Sequence, residues 1–441
     1  MLNQSICIYV PVISPRLLYV VGEIFEQNFG LKVSLCLDKA AFLLIDTPKL
    51  SYGAYIQDDI PFFAAAGLLE ETDIVAKENI VGTYQTKKVL FPMANDIKSS
   101  LPYDAFSAIF FMLSRYEEYV PFQTDQHGRF SADNSLAMKY GFLHEPVVQY
   151  WLADIESVLM TYYPSLLFKK HPYTFTPSFD IDVAYAYQHR SLARQLLGMA
   201  KAVFELKFHY FIKRVLVFLG IQKDPFDTYQ ALFAVLKSEG LSALFFLQAG
   251  KYAGKVDKSI LKDTPFWRKF TQQLAAYGQV GIHPSYASNY AKEKLSDEMD
   301  LVKSLLTHPV QSSRQHYLKL RFPQTYRNLA YFGIQHDYSM GFADACGFRA
   351  GTCRPFYFYD LTVETVSHLL VHPFVIMDAT LKNYLKLNQT SSMQVFKDYK
   401  TKIQAVGGDF MILCHNNTFS DVEEWKSWKA VFYAMLKTGK A

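Results

Sequence analysis

The segment Tyr173-Thr-Phe-Thr-Pro-Ser-Phe-Asp-Ile-Asp-Val-Ala184 combines a strand pattern with two carboxylates at its end. Aromatic residues alternate with small polar ones, which is the period-two pattern of a half-buried β-strand. Asp180 and Asp182 follow at the C-terminal end, where ligands sit in parallel α/β sheets and barrels. Because residues i and i+2 of a strand point to the same side, both acids can face one site. Such a pair suits cation binding combined with proton abstraction, although an isolated Asp-x-Asp is more often solvated.

Polar side chains recur at the ends of the strands predicted downstream. They are His283, Arg314 with His316, Asp337 and His415. Strands and helices alternate regularly after residue 170, which favours a parallel α/β barrel or a doubly wound sheet. A single histidine after a strand is usually structural, but five successive strand ends with polar groups indicate one shared site. One Asp with two His is a common ligand set that leaves metal positions open for water and substrate.

The chain before this segment predicts a separate, smaller α/β domain. Residues 6–37 have a β-α-β pattern, with Ser14 as the helix cap and a proline directly after it. We place the first domain at 1–165 and the barrel domain at 170–436. The first domain shows no phosphate loop, metal cluster or nucleophile elbow, so we expect it to be a scaffold or a platform for substrate.

The composition limits the class of protein. Half of the 441 residues are hydrophobic and 16% are aromatic, so the chain can bury a large core. The net charge of +4 is too small to indicate nucleic-acid binding. The five cysteines are scattered and form no Cys-x-x-Cys pair, which predicts a reducing compartment. We recognise no secretory signal and no apolar run long enough to span a bilayer, and therefore expect a cytoplasmic protein.

A long helical insertion, 191–223, follows the two aspartates. Glu205 is the only acidic residue of the insertion. The basic residues in it and directly before it are Arg190, Arg194, Lys201, Lys207, Lys213, Arg214 and Lys223. Apolar residues lie between them, which indicates an amphipathic hairpin. Covering a neighbouring surface is the commoner role of such a segment. Its charge also suits an anionic membrane, and a peripheral contact at the inner face of the membrane is the alternative.

Five short segments repeat the motif order of a known family. They are Ser178-Phe-Asp-Ile-Asp182, His283-Pro-Ser-Tyr-Ala287, Arg314-Gln-His-Tyr317, Asp337 within His-Asp-Tyr-Ser, and Leu413-Cys-His415. Together they resemble the polysaccharide deacetylases of the NodB-homology class, carbohydrate esterase family four. With Ser-Arg-Tyr-Glu-Glu-Tyr (114–119) and Gly-Phe-Arg-Ala-Gly-Thr (347–352), the whole chain resembles a two-domain bacterial subgroup. The resemblance implies an α/β protein with a distorted (β/α) barrel of NodB type, preceded by a smaller α/β domain.

The resemblance also implies roles in proton transfer. Asp180 matches the general base and Asp182 a metal ligand, although Ile181 between them leaves an exchange of these roles open. Arg314 matches the arginine that orients the base. His415 matches the general acid, and Asp337 the aspartate that tunes this histidine.

The implied metal site is incomplete in its second motif. His283 matches one histidine ligand, but Ala287 stands where the second is expected. We predict that His316, which replaces a proline of the third motif, takes this place. Arg314 and His316 are two residues apart on a predicted strand and would face the same pocket. The alternative is that His316 only packs beneath the site.

The resemblance implies a metal-dependent deacetylase that removes acetyl groups from an acetylated amino sugar or polysaccharide. The cofactor would be a divalent ion, zinc, and the partner a carbohydrate substrate. Two alternatives stay open. One is a catalytically inactive glycan-binding module, which the incomplete second motif favours. The other is a different metal-dependent amidohydrolase that acts on a peptide or ring amide.

Overall fold

The computed structural model describes residues 4–251, 256–420 and 422–440. The first part of the chain forms a parallel four-stranded sheet, in the order β2-β1-β3-β4, and a separate hairpin of β5 and β6. Its elements are β1 (Ser5–Tyr9), α1 (Pro15–Val21), β2 (Lys32–Cys36), α2 (Lys39–Leu43), β3 (Lys49–Tyr52), β4 (Phe62–Phe63), β5 (Val81–Tyr84), β6 (Lys87–Leu90), α3 (Ala105–Leu113), α4 (Leu136–Lys139) and α5 (Val147–Tyr162). The Ser14 side chain accepts a hydrogen bond from the Leu17 N–H and caps α1, as the sequence predicts.

The second part of the chain alternates strands and helices. Its elements are β7 (Thr174–Ile181), α6 (Leu192–Phe204), α7 (Phe208–Phe218), α8 (Tyr229–Ser238), β8 (Ala243–Gln248), α9 (Pro265–Ala275), β9 (Gly278–His283), α10 (Lys292–Leu305), β10 (Ser312–Ser313), α11 (Gln324–Tyr331), β11 (His336–Met340), β12 (Phe356–Asp360), β13 (Thr365–Pro373), β14 (Ile376–Met377), α12 (Gln389–Val406), β15 (Asp409–His415) and α13 (Lys429–Gly439). The molecule is therefore a mixed α/β protein, as expected from the sequence.

A nine-stranded sheet, in the order β12-β13-β11-β10-β9-β8-β7-β15-β14, organises the second part. All neighbouring strands are parallel except β12, which pairs antiparallel with β13 at the edge. The sheet curls because β13 and β14 are joined by only two residues. Phe374 donates its N–H to the Met340 carbonyl of β11, and Val375 donates to the Met411 carbonyl of β15. This link connects the two sides of the sheet.

The strand residues alternate between two apolar clusters. One set faces the inside of the curled sheet: Leu244, Phe246, Tyr338, Phe374, Met377, Met411 and Leu413. The intervening residues pack outward against the helices: Phe179, Ile181, Phe245, Leu247, Phe410, Ile412 and Cys414. Because successive strand residues point to opposite faces, Asp180 and His415 belong to the inward set. The apolar interior thus ends, at the C-terminal edge of the strands, in polar side chains.

Gly281 lets two of these strands approach closely. A Cβ atom at this position would lie 2.4 Å from the Ser312 carbonyl oxygen on β10. The Arg314 N–H donates to the Ile282 carbonyl, so the chain after β10 stays beside β9. The glycine therefore helps to bring Arg314 and His283 to the same edge of the sheet.

Buried ion pairs join the two parts of the chain. Glu118 accepts hydrogen bonds from Arg349 Nε and Nη2, and also from Arg115 Nε at 2.9 Å. Glu118 lies in the segment 114–119 and Arg349 in 347–352, so these two sequence motifs meet in space. Arg16 of α1 pairs with Glu364 at 2.8 Å. Such pairs fix geometry, because leaving either buried charge without its partner would be costly. The domain limits themselves stay a prediction.

The insertion 191–223 contains the helices α6 and α7, which are joined by a short turn and contact each other. None of the helices in the described ranges has both the length and the apolar character needed to cross a bilayer. The five cysteines, Cys7, Cys36, Cys346, Cys353 and Cys414, are all unpaired.

Candidate functional site

Asp180 forms the floor of the site and is held by Arg314. The Arg314 guanidinium is fully buried and donates from Nη1 to Asp180 Oδ1 at 3.0 Å. Its Nε donates to the Tyr338 carbonyl oxygen at 2.9 Å, and its carbon lies 4.5 Å from the centroid of the Phe246 ring. These contacts compensate the buried carboxylate charge and fix its orientation.

Asp182, His283 and His316 bring three potential metal ligands together above this floor. Asp182 Oδ1 lies 3.2 Å from His283 Nε2, and Asp182 Oδ2 lies 3.6 Å from His316 Nε2. One ligand atom from each residue lies within 4.8 Å of the other two, the one such group found in the described part of the chain. Ligands around a single zinc ion, at bonds of about 2.0–2.2 Å, have similar separations.

The polar atoms of this cluster match the needs of a cation. His283 Nδ1 donates to the Arg314 carbonyl oxygen at 2.6 Å, so Nε2 is the ring nitrogen that can serve as a ligand. That nitrogen and Asp182 Oδ1 are buried and have no hydrogen-bond partner among the described residues. Although the two atoms are 3.2 Å apart, they face each other as two acceptors. A divalent cation between them would satisfy both, and the residues therefore fit a metal site.

His316 reaches the cluster from a turn, not from a strand. The sequence predicted that Arg314 and His316 share a strand, but β10 ends at Ser313 and His316–Leu318 form a 3-10 turn. Tyr317 within this turn has φ of 61°, a left-handed conformation that non-glycine residues rarely adopt. His316 nevertheless lies close to His283, with 5.0 Å between the two ring centroids.

A buried aspartate, Asp257, orients His316. Its Oδ1 lies 3.2 Å from His316 Nδ1, which also lies 2.8 Å from Gln248 Nε2. The Asp257 carboxylate also accepts the backbone N–H groups of Tyr286 and Ala287. Hydrogen bonding at Nδ1 leaves His316 Nε2 free to act as a ligand. Burial lowers the pKa of His316, but the carboxylates of Asp182 and Asp257 raise it to about 9. Burial alone would raise the pKa of Asp182, but the charge of His316 holds it well below its ordinary value.

The structure corrects the role predicted for Asp337. The sequence placed it at a strand end beside His415, but β11 runs from His336 to Met340 and Asp337 lies near its start. Because the neighbouring Tyr338 faces the interior, Asp337 points outward. There its carboxylate accepts hydrogen bonds from Ser313, Tyr326 and Ser339. Asp337 is therefore part of the packing behind the sheet and does not contact His415.

Asp378 is the partner of His415. Its Oδ1 lies 2.8 Å from His415 Nδ1, and its Oδ2 accepts the His415 backbone N–H at 2.6 Å. Thr418 donates its hydroxyl to the same carboxylate. Burial lowers the pKa of His415, but the carboxylate of Asp378 raises it to about 10. The ring is thus held as a cation at neutral pH, with Nε2 available to donate.

These side chains line one cavity of about 650 Å³. Asp180, Asp182, His283, His316 and His415 all contribute to its wall. The volume lies in the usual range for small-molecule sites. Aromatic and cationic side chains also line it: Tyr187, Tyr317, Tyr384, Trp425, Arg129, Arg190, Arg214 and Lys258.

The first part of the chain also contributes to this cavity. Arg129 donates from Nη1 to the Tyr317 carbonyl oxygen at 2.8 Å and from Nη2 to the Tyr384 hydroxyl at 3.2 Å. It therefore supports two aromatic residues of the wall from across the junction.

Sequence reasoning missed Asp257 and Asp378. Asp378 had a usable signal, because it directly follows the short strand β14 just as Asp180 and Asp182 lie at the end of β7. Asp257 lies in a loop after β8 and has no comparable local pattern.

Comparisons with known proteins give limited matches. A family of unknown function, DUF7033, matches residues 6–164, which is less than half of the chain. A search of curated proteins finds no match.

Three solved structures resemble parts of the chain. A proposed polysaccharide deacetylase from Mycobacterium smegmatis is 11% identical with a TM-score of 0.38, over 61% of this chain and 84% of that one. A proposed polysaccharide deacetylase involved in O-antigen biosynthesis, from Bordetella bronchiseptica, is 12% identical with a TM-score of 0.32, over 60% and 80%. A family 4 carbohydrate esterase from Streptomyces lividans is 11% identical with a TM-score of 0.27, over 48% and 78%. TM-scores below 0.5 do not establish a shared fold, so function has to be inferred from the site itself.

Proposed function

We propose that this chain is a metal-dependent deacetylase that removes acetyl groups from an acetylated amino sugar or polysaccharide. The observation that carries the proposal is the meeting of three groups in one cavity. They are the Asp182–His283–His316 cluster, the Asp180 carboxylate held by Arg314, and the His415 ring held by Asp378. Amide hydrolysis needs a cation, a base and an acid around one carbonyl, and these groups supply them.

Asp182, His283 and His316 would hold the divalent ion, for which zinc suits a mixed nitrogen and oxygen ligand set. When bound, such an ion polarises the acyl carbonyl and lowers the pKa of water in its coordination sphere from about 16 toward 7. The open side of the cluster faces the cavity, which leaves room for water and the acetyl group.

Asp180 would act as the general base. Its Oδ2 lies 3.7 Å from His283 Nε2, so the carboxylate borders the metal position closely enough to accept a proton from water there. Arg314 engages the other oxygen, Oδ1, and leaves Oδ2 for this task. The buried arginine thus positions the base without taking part in proton transfer.

His415 would act as the general acid. Asp378 engages Nδ1, so the proton that leaves toward the substrate is the one on Nε2. Transfer of this proton to the departing nitrogen lets the free amine of the sugar leave. The pairing with Asp378 favours the protonated form of His415, so the ring can donate a proton while the Asp180 carboxylate accepts one.

The test is acetate release by the full chain from a panel of acetylated amino sugars and their oligomers, with cyclic amides as the comparison. We expect acetate release that a chelator abolishes and added zinc restores. Hydrolysis of cyclic amides without acetate release would instead identify another metal-dependent amidohydrolase. Saturable glycan binding without any turnover would support the inactive binding module.

A further inference from the structure

The hairpin of α6 and α7 carries an unusual concentration of exposed apolar side chains. Of the thirty-two large hydrophobic residues that are exposed in the described part of the chain, eleven lie between Leu192 and Ile221. The turn between the helices is the extreme case, with Phe204 91% exposed and Leu206 75% exposed. Contiguous apolar surface of this kind marks an interaction site and not an ordinary solvated face.

The apolar residues follow the helical repeat. On α6 the exposed positions are Leu192, Leu196, Leu197, Val203 and Phe204, which cluster on one face at 3.6 residues per turn. The buried positions Gln195 and Ala202 lie on the opposite face. On α7, Phe208, Ile212 and Phe218 are exposed, as is the C-cap residue Leu219, whereas Val217 is buried. Each helix therefore combines a few buried positions with several exposed apolar side chains.

The positive charge of the hairpin indicates which kind of surface it binds. Seven cations lie at positions 190–223 against the single acid Glu205. Lys201 and Lys207 flank the apolar turn, with side chains 74% and 54% exposed. Apolar residues bordered by cations match the interface of an anionic bilayer, where rings and leucines enter the acyl boundary and lysines meet the headgroups. A second copy of the chain would bring the same cations together and is disfavoured.

We propose that the α6–α7 hairpin docks the protein peripherally on an anionic lipid bilayer, with the turn at Phe204–Phe208 inserted into the interface. Hydrogen bonds close the base of the hairpin, where the chain before α6 meets the chain after α7. Asp224 accepts the backbone N–H groups of Ala186, Tyr187 and Gln188 at 2.7–2.9 Å. Arg190 and Arg214 line the same cavity as the candidate metal ligands. The docking surface and the wall of the cavity therefore belong to one structural element.

The test is co-sedimentation of the full chain with vesicles of phosphatidylglycerol and phosphatidylcholine, and with vesicles of phosphatidylcholine alone. We expect binding to the anionic vesicles that weakens as salt rises. The variant Phe204→Ser/Leu206→Ser/Phe208→Ser should bind about tenfold or more weakly, because it removes the inserted apolar area. Because the three substituted side chains are exposed, the variant should unfold at the same temperature as the wild-type protein. The matched control Leu37→Ser/Leu44→Ser/Val363→Ser removes three residues of similar exposure elsewhere and should bind as wild type.

A second pair of variants tests how much the lysine charges contribute to vesicle binding. Lys201→Gln/Lys207→Gln should weaken binding by roughly tenfold. Lys98→Gln/Lys251→Gln removes two exposed lysines that also pair with carboxylates, and should have no effect. Absence of binding at low ionic strength, or equal losses in the control variants, would overturn the proposal. Self-association of the free protein that the turn variant abolishes, without vesicle binding, would assign the surface to a second copy and also overturn it. The assay needs no substrate, so its result is independent of the proposed deacetylase activity.

Discussion

His316 and His415 are each held at Nδ1 by a buried aspartate, yet they face different surroundings. Asp257 orients His316 and Asp378 orients His415, at 3.2 Å and 2.8 Å. The Nε2 atom of His316 points at Asp182 and lies beside His283, whereas His415 borders the open cavity. The carboxylates raise the pKa of both rings, to about 9 and about 10. A cation at the cluster would displace the proton of His316, but His415 would keep its own. On the proposed function, the group that faces Nε2 would distinguish the metal ligand, His316, from the general acid, His415.

Removing His415 should have the largest effect on turnover. Because His415 is proposed as the general acid and not as a metal ligand, His415→Ala should lower kcat by about 10²–10⁴-fold and leave the metal content unchanged. Steady-state acetate release and elemental analysis of the same preparation check both parts. Loss of the metal in this variant would erase the distinction between the two histidines.

Removing the partner of His316 should weaken the metal site. Asp257→Asn should lower the affinity for zinc by about 10–100-fold, the usual cost of losing a carboxylate that orients a ligating histidine. Competition with a chelator of known affinity measures this change. Asp337→Asn is the matched control, since it alters an equally buried carboxylate that contacts neither histidine. Equal losses in both variants would argue against a specific role for Asp257.

Removing the partner of His415 should change the pH profile instead. Asp378 raises the pKa of His415, so Asp378→Asn should lower it and deprotonate the acid earlier as the pH rises. The alkaline limb of kcat should therefore move to lower pH by about one to three units. The affinity for zinc should stay as in wild type. A profile with an unmoved alkaline limb would contradict the assignment of His415 as the acid.

The smallest effect on activity is expected for Asp337. Asp337→Asn should leave kcat within a few-fold of wild type, because the side chain lies behind the sheet. It should lower the free energy of unfolding by about 1–3 kcal/mol, since an amide nitrogen would face the donors of Ser313 and Tyr326. Urea unfolding together with acetate release measures the two quantities. A large loss of activity at full stability would restore the role predicted from sequence.

The ends of the long strands could be predicted from the sequence because strand periodicity is a local signal. Asp180, His283 and His415 lie at or beside the ends of β7, β9 and β15, where the apolar alternation stops. The prediction for Asp337 was wrong because β11 continues three residues beyond the predicted strand end. A shift of the strand limits places this residue in the outward-facing set.

The partners of the two histidines could not be predicted in the same way. Asp378 reaches His415 because β14 pairs with β15, and that pairing depends on the short link that curls the sheet. Such contacts follow from strand order, which no local pattern encodes. The position of His316 likewise depends on the left-handed Tyr317 in a turn that reads as a strand in the sequence.

Zinc binding by wild-type protein and by His316→Ala tests the central claim most directly. Titration calorimetry of the metal-free protein should show one zinc ion per chain, because Asp182, His283 and His316 form a single ligand set. His316→Ala should leave two protein ligands and weaken binding by about 100-fold or more, and Asp337→Asn should bind as wild type. Undiminished zinc binding by His316→Ala, or no zinc binding by the wild-type chain, would contradict the account.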